Sequence, residues 1–132
     1  MSFSLERRGN QRIIVGVVGQ DFDLRTEAEP YLHQVRDMLD QMDGPTVYIS
    51  DLREMELNLG DLTVLMSTVT RGDMAVLKHP NLRDIILVAS NNMIKLGVNA
   101  LGQSQYGRLH ASVAESVEAA LEQAENDLAP IG

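Results

Sequence analysis

Cysteine is absent from the 132 residues, which removes disulfides, thiolate nucleophiles and Cys-based zinc sites and fits a reducing compartment. Aromatics are scarce: two Phe, three Tyr and no Trp, so aliphatic side chains and seven Met must fill the interior. Basic residues are outnumbered, with eleven Lys+Arg against nineteen Asp+Glu, and the net charge of -8 repels phosphate backbones and anionic headgroups. Nucleic acid is not an expected partner. No run of about 20 apolar residues occurs, so integral membrane association is not expected either. Met1 to Arg12 holds Arg7, Arg8 and Arg12 but no apolar run ahead of a cleavage site. The expected location is therefore the cytoplasm.

Catalytic signatures are missing as well. There is no G-x-S-x-G, G-x-x-x-x-G-K-[ST] or G-x-G-x-x-G; Gly16 with Gly19, and Gly97 with Gly102, lack the rest of any phosphate loop and read as bulge, packing or cap positions. His33, His79 and His110 fall on a helix, before a proline and in a strand, without H-x-x-x-H or H-x-H spacing, so no metal site and no cofactor are expected. Many carboxylates, such as Asp37, Asp40, Glu118 and Glu122, belong to solvated helix faces. The chain is expected not to be an enzyme.

What is present is globular: 44% hydrophobic and 23% charged residues are close to average usage, which points away from disorder and from fibrous designs. A chain of this length is expected to form one domain over residues 1–132, burying about two thirds of the surface it exposes when unfolded. Two β-rich runs, Phe3 to Arg8 and Arg12 to Val18, flank Gly9-Asn10 and predict an antiparallel hairpin, the more apolar second run lying inside the sheet. Gly19 to Leu24 reads as a turn. Ala28, Tyr31, Leu32, Val35, Met38, Leu39 and Met42 recur at helical spacing between Thr26 and Met42. That helix starts either at a Thr26/Glu29 capping box or with Glu29 as cap and Pro30 in the first helical position.

Asp43-Gly44-Pro45 ends the helix, and Thr46 to Ser50 is a β-branched strand after which Asp51 opens a loop. Leu62, Leu65, Met66 and Val69 form a helical stripe that Gly72 breaks or bends, and a further helical turn from Asp73 to Lys78 precedes His79-Pro80. Asp84 to Ala89 is a continuous apolar run of the buried parallel kind. A helix over 91–102, a short strand over Arg108 to Ala111, and a closing helix behind a Ser112/Glu115 capping box complete the order ββαβαβαβα. The fold class is α/β, with a mostly parallel sheet, an N-terminal antiparallel hairpin and about four helices.

This element order, with Ser50-Asp51-Leu52 closing the third strand and Gly60-Asp61-Leu62 opening a helix, resembles the STAS or SpoIIAA-like domains over nearly the whole chain. The resemblance implies a curled sheet and a regulatory or protein-interaction module. Antagonists of that family carry a phosphorylated Ser in a D-S-S-G-type turn; here the stretch is Leu57-Asn58-Leu59-Gly60-Asp61, which keeps the Gly without a neighbouring Ser or Thr. Thr63 and Ser67 lie further along the helix. A divergent bacterial member without the phospho-serine switch is expected.

The candidate partner or ligand rim is Asp51, Asn58, Gly60, Asp61, Asn91 and Asn92: a carboxylate where open α/β sheets bind ligands, and two helix starts with free backbone N–H groups. Asp51 as a loop cap and Asp61 as a helix cap are the alternative roles. Met93 to Leu101 has one charge, Lys95, and apolar residues on every side, so Met93, Ile94, Val98 and Leu101 must be covered by the rest of the fold, by a second subunit or by an acyl chain. A homodimer and an unidentified protein partner are expected, with a carrier or sensor of a small apolar, lipid-like ligand as the alternative.

Overall fold

The computed structural model describes residues 3–8, 12–54, 60, 79–89 and 111–128. The expected helices over 62–78 and 91–102 and the Gly9-Asn10 turn lie outside them. Among the described residues the order is β1 (Phe3–Arg7), β2 (Ile13–Val18), α1 (Leu24–Asp40), β3 (Thr46–Asp51), β4 (Leu82–Val88), β5 (Ala111–Ala114) and α2 (Val117–Leu128). They form an α/β unit with one five-stranded sheet in the order β1-β2-β3-β4-β5. β1 runs antiparallel to β2, pairing Phe3 with Val18 and Arg7 with Ile14, and every other pair is parallel. The hairpin and the parallel run of strands are as the sequence pattern predicts.

Strand alternation divides the core in two. Ile14, Val18, Tyr48, Ile85 and Ala89 face α1, which brings Ala28, Tyr31, Leu32, Val35 and Leu39 onto them. Ile13, Val15, Val47, Ile49, Ile86 and Val88 face α2, whose fully buried Ala120 and Ala124 let the helix lie close to the sheet. Coverage on both faces explains why β2 and β4 read as continuous apolar runs.

Two boundaries differ from expectation. α1 begins at Leu24, ahead of both predicted starts, because Asp23 acts as its cap: the Asp23 carbonyl accepts the Glu27 N–H at 2.7 Å, and the Asp23 N–H donates to the Glu27 carboxylate at 3.1 Å. Pro30 consequently lies inside the helix on its exposed side, where the Thr26 carbonyl that loses its bond can be served by water. The last strand is Ala111–Ala114, running past the expected end at Ala111, since pairing with β4 continues to Val88 opposite Ala114; 108–110 lie outside the described residues. Ser112 is thus a strand residue, its hydroxyl accepting from Gln123 of α2 at 2.7 Å, and the helix cap is Ser116, which accepts the Ala119 N–H at 3.1 Å.

At the amino end of the parallel strands the turn from His79 to Leu82 ties α1 to the sheet. The Asn81 amide donates to the carbonyls of Leu39 and Met42, at 2.9 and 3.2 Å, adding to the bond that the Met42 N–H gives the Leu39 carbonyl where α1 ends. The Asn81 carbonyl accepts the Thr46 N–H at 2.7 Å. Because the Asn81 N–H donates to His79 Nδ1, the imidazole proton sits on Nε2 and is donated to Asp40 at 2.6 Å.

Candidate functional site

The carboxyl ends of β2, β3 and β4 share one rim. Asp51 is the last residue of β3, with its side chain 8% exposed. Its Oδ1 accepts the Arg53 backbone N–H at 3.1 Å and Nε at 2.9 Å, and its Oδ2 accepts Nη2 at 2.8 Å. The backbone bond makes Asp51 a loop cap, and the bidentate fork makes it an ion-pair partner too. A carboxylate this buried needs such a partner. Arg53 is 47% exposed, so the guanidinium reaches solvent while one edge stays fixed on Asp51; hydrogen bonding to Asp51, followed by the charge of Asp51, raises its pKa. Glu54 beside it is exposed, as are Asp21 and Asp23 in the loop after β2.

Behind the rim, on the α1 face, lies a buried polar cluster. Tyr48 and Ser50 are two apart in β3 and therefore point the same way. The Tyr48 hydroxyl donates to Tyr31 at 2.5 Å, and Tyr31 and Ser50 are bonded at 3.2 Å. The three hydroxyls form a chain centred on Tyr31 in which each has a partner, which offsets the cost of burying them. Space for the Tyr31 hydroxyl comes from Gly16, opposite Ser50 in the β2–β3 register: a Cβ there would fall on that hydroxyl and within 2.9 Å of Leu5 Cδ2. Phe3 and Phe22 pack edge-on against Tyr31, with ring centroids 5.0 and 5.8 Å away.

Burial raises the Tyr31 pKa above 10.0, the charge of Asp51 adds to this, and the bonds from Ser50 and Tyr48 oppose it. Tyr48 is raised further, by burial first and then by Tyr31. Both groups are neutral in the fold and ionise near 10.0 when unfolded, so their contribution to stability is complete below that pH and is lost as pH climbs through the raised native values. The tyrosinate absorbance of the native protein at pH about 10.5 is expected to lag that of the urea-unfolded chain by the share of two residues. Equal absorbance in the two states would show that the hydroxyls are not sealed.

Of the expected rim, the structure describes Asp51 and Gly60, the latter exposed with helical backbone. Asn58, Asp61, Asn91 and Asn92, and the apolar set Met93, Ile94, Val98 and Leu101, lie outside the described residues. Arg53 and the hydroxyl chain of Tyr48, Tyr31 and Ser50 are not among the residues that the sequence singles out. The signals were faint: an Asp-x-Arg step after a strand, two hydroxyl residues at period two, and a glycine inside an apolar strand. Among the described residues no three His, Cys, Asp or Glu side chains are grouped to hold a metal, and no helix is long and apolar enough to cross a membrane.

The fold has a counterpart of known structure. An uncharacterised protein of the DUF3478 family with a SpoIIAA-like fold, from Shewanella loihica PV-4, matches over 92% of this chain and 91% of its own, with a TM-score of 0.56 and 14% identity. The fold is SpoIIAA-like. No family model and no curated protein matches the chain. The resemblance in element order is thus borne out at the level of the SpoIIAA-like fold, and the chemistry of the rim rests on this chain's own residues.

Proposed function

We propose that this SpoIIAA-like chain is a non-enzymatic interaction module that docks a protein partner on the rim formed by the Asp51 to Glu54 turn and the segment opening at Gly60. The observation that carries this reading is the Asp51–Arg53 fork. A carboxylate whose two oxygens are both engaged by a guanidinium is a poor general base, and the buried tyrosine and serine hydroxyls are bonded to one another rather than aimed at solvent. A charged group held in place at the carboxyl end of a parallel sheet suits recognition, because little side-chain freedom is left to lose on binding. With no Ser or Thr beside Gly60, docking is controlled by something other than phosphorylation at that turn.

The test is affinity capture from a host lysate with the tagged full-length chain and with two charge reversals on the rim, Glu54→Arg and Asp61→Arg. Both variants are expected to keep the wild-type circular dichroism and melting temperature while capturing the partner at least about tenfold less well, the equivalent of ~1.4 kcal/mol. Undiminished capture by both variants would remove the rim from the interface.

A further inference from the structure

Apart from Tyr31, the stripe that α1 presents to the sheet is aliphatic: Ala28, Leu32, Val35 and Leu39 are all buried. Apolar burial is non-directional, and a slide of one helical turn, about 5.4 Å, would replace one small aliphatic side chain by another at each contact. Something directional must set where α1 stops. Two polar contacts do so, one at mid-helix and one at its end. From the middle of α1, the Tyr31 hydroxyl bonds Tyr48 and Ser50 of β3, in the space left by Gly16. At its end, the Asn81 amide holds the carbonyls of Leu39 and Met42 while the Asn81 carbonyl holds the Thr46 N–H that starts β3.

We propose that the hydroxyl chain centred on Tyr31 and the Asn81 amide are a pair of clamps that fix the position of α1 on the sheet, and that the chain serves this selection of one arrangement rather than net stability. A slid helix would take the three buried hydroxyls from one another and the Asn81 amide from the Leu39 and Met42 carbonyls, each at a cost on the scale of a lost buried hydrogen bond. The aligned helix satisfies them all. Buried polar networks that contribute little to net stability can still exclude competing packings.

The experiment compares the wild-type chain, Tyr31→Phe, and the triple variant Tyr31→Phe/Tyr48→Phe/Ser50→Ala, by urea denaturation and by residue-resolved amide exchange. Tyr31→Phe alone strands the Tyr48 and Ser50 hydroxyls and is expected to have the lowest urea midpoint of the three. The triple variant, apolar throughout, is expected to regain the wild-type midpoint, yet exchange the amides of residues 24–40 roughly tenfold faster relative to those of β2 and β3, because α1 then samples more than one position. A triple variant less stable than Tyr31→Phe, or one that does not fold, would overturn the proposal by showing that the hydroxyl chain is needed for stability itself. A triple variant that folds with wild-type protection across α1 would overturn it by showing that the hydroxyl chain does not select the helix position.

Discussion

Replacing Gly16 by Val is expected to lower stability by about 3 kcal/mol or more, seen as a fall of roughly 10 °C or more in melting temperature. The position is buried in β2, between the Leu5 side chain of β1 and the Tyr31 hydroxyl of α1. A valine there cannot be absorbed by a small rotamer change. Its Cβ alone coincides with the phenolic oxygen, and the backbone of β2 is held on both sides by β1 and β3. Two costs therefore act together. Overpacking moves Tyr31, and the moved hydroxyl leaves Tyr48 and Ser50 buried with fewer partners. Thermal denaturation followed by circular dichroism reads the result, and a variant melting within about 2 °C of wild type would mean that the contact between Gly16 and Tyr31 is not a close one.

Ile86→Ala is expected to cost about 3–4 kcal/mol, with a parallel fall in the urea midpoint and an unchanged denaturant slope. Ile86 is fully buried in β4 on the α2 face, among Val47, Ile49 and Val88. The fully buried positions of the helix above it are alanines, Ala120 and Ala124, while its larger side chains, Val117, Leu121 and Leu128, pack against the cluster only partly buried. With alanines over it, the site bears a cavity cost as well as the transfer cost. The same truncation at half-buried Leu87, on the opposite face, should cost less. Equal losses at the two positions would show that α2 is not seated as described.

How much of this was legible in advance varies by residue. The hairpin, β3 and β4 follow from apolar runs and β-branched residues whose local preferences agree with their place in the sheet. The start of α1 did not, because Thr26, Glu29 and Pro30 form plausible local caps, whereas the working cap depends on the Asp23 to Glu27 contact one turn earlier. The Ser112/Glu115 pattern misled for a related reason: its spacing suits a capping box, but strand pairing with β4 claims Ser112 first and passes the cap to Ser116. In the candidate site, Asp51 was legible from its position after a strand. Its partner Arg53 was not, since a charge two residues along is as often solvated as paired.

By itself the sequence determined the α/β class, the parallel character of the sheet and the absence of cysteine chemistry, all of which depend on residue type and on periods of two and 3.6 along the chain. Only the tertiary structure decided the strand order, the pairing of Gly16 with Ser50, the hydroxyl chain that joins α1 to β3, and the reach of Asn81 back to the end of α1. The reason is range. Periodicity reports on neighbours a few residues apart, whereas Tyr31 and Tyr48 are 17 residues apart and Asn81 and Leu39 are 42. Such contacts form only when a parallel crossover has brought distant segments side by side, and no local propensity records which polar groups will then meet.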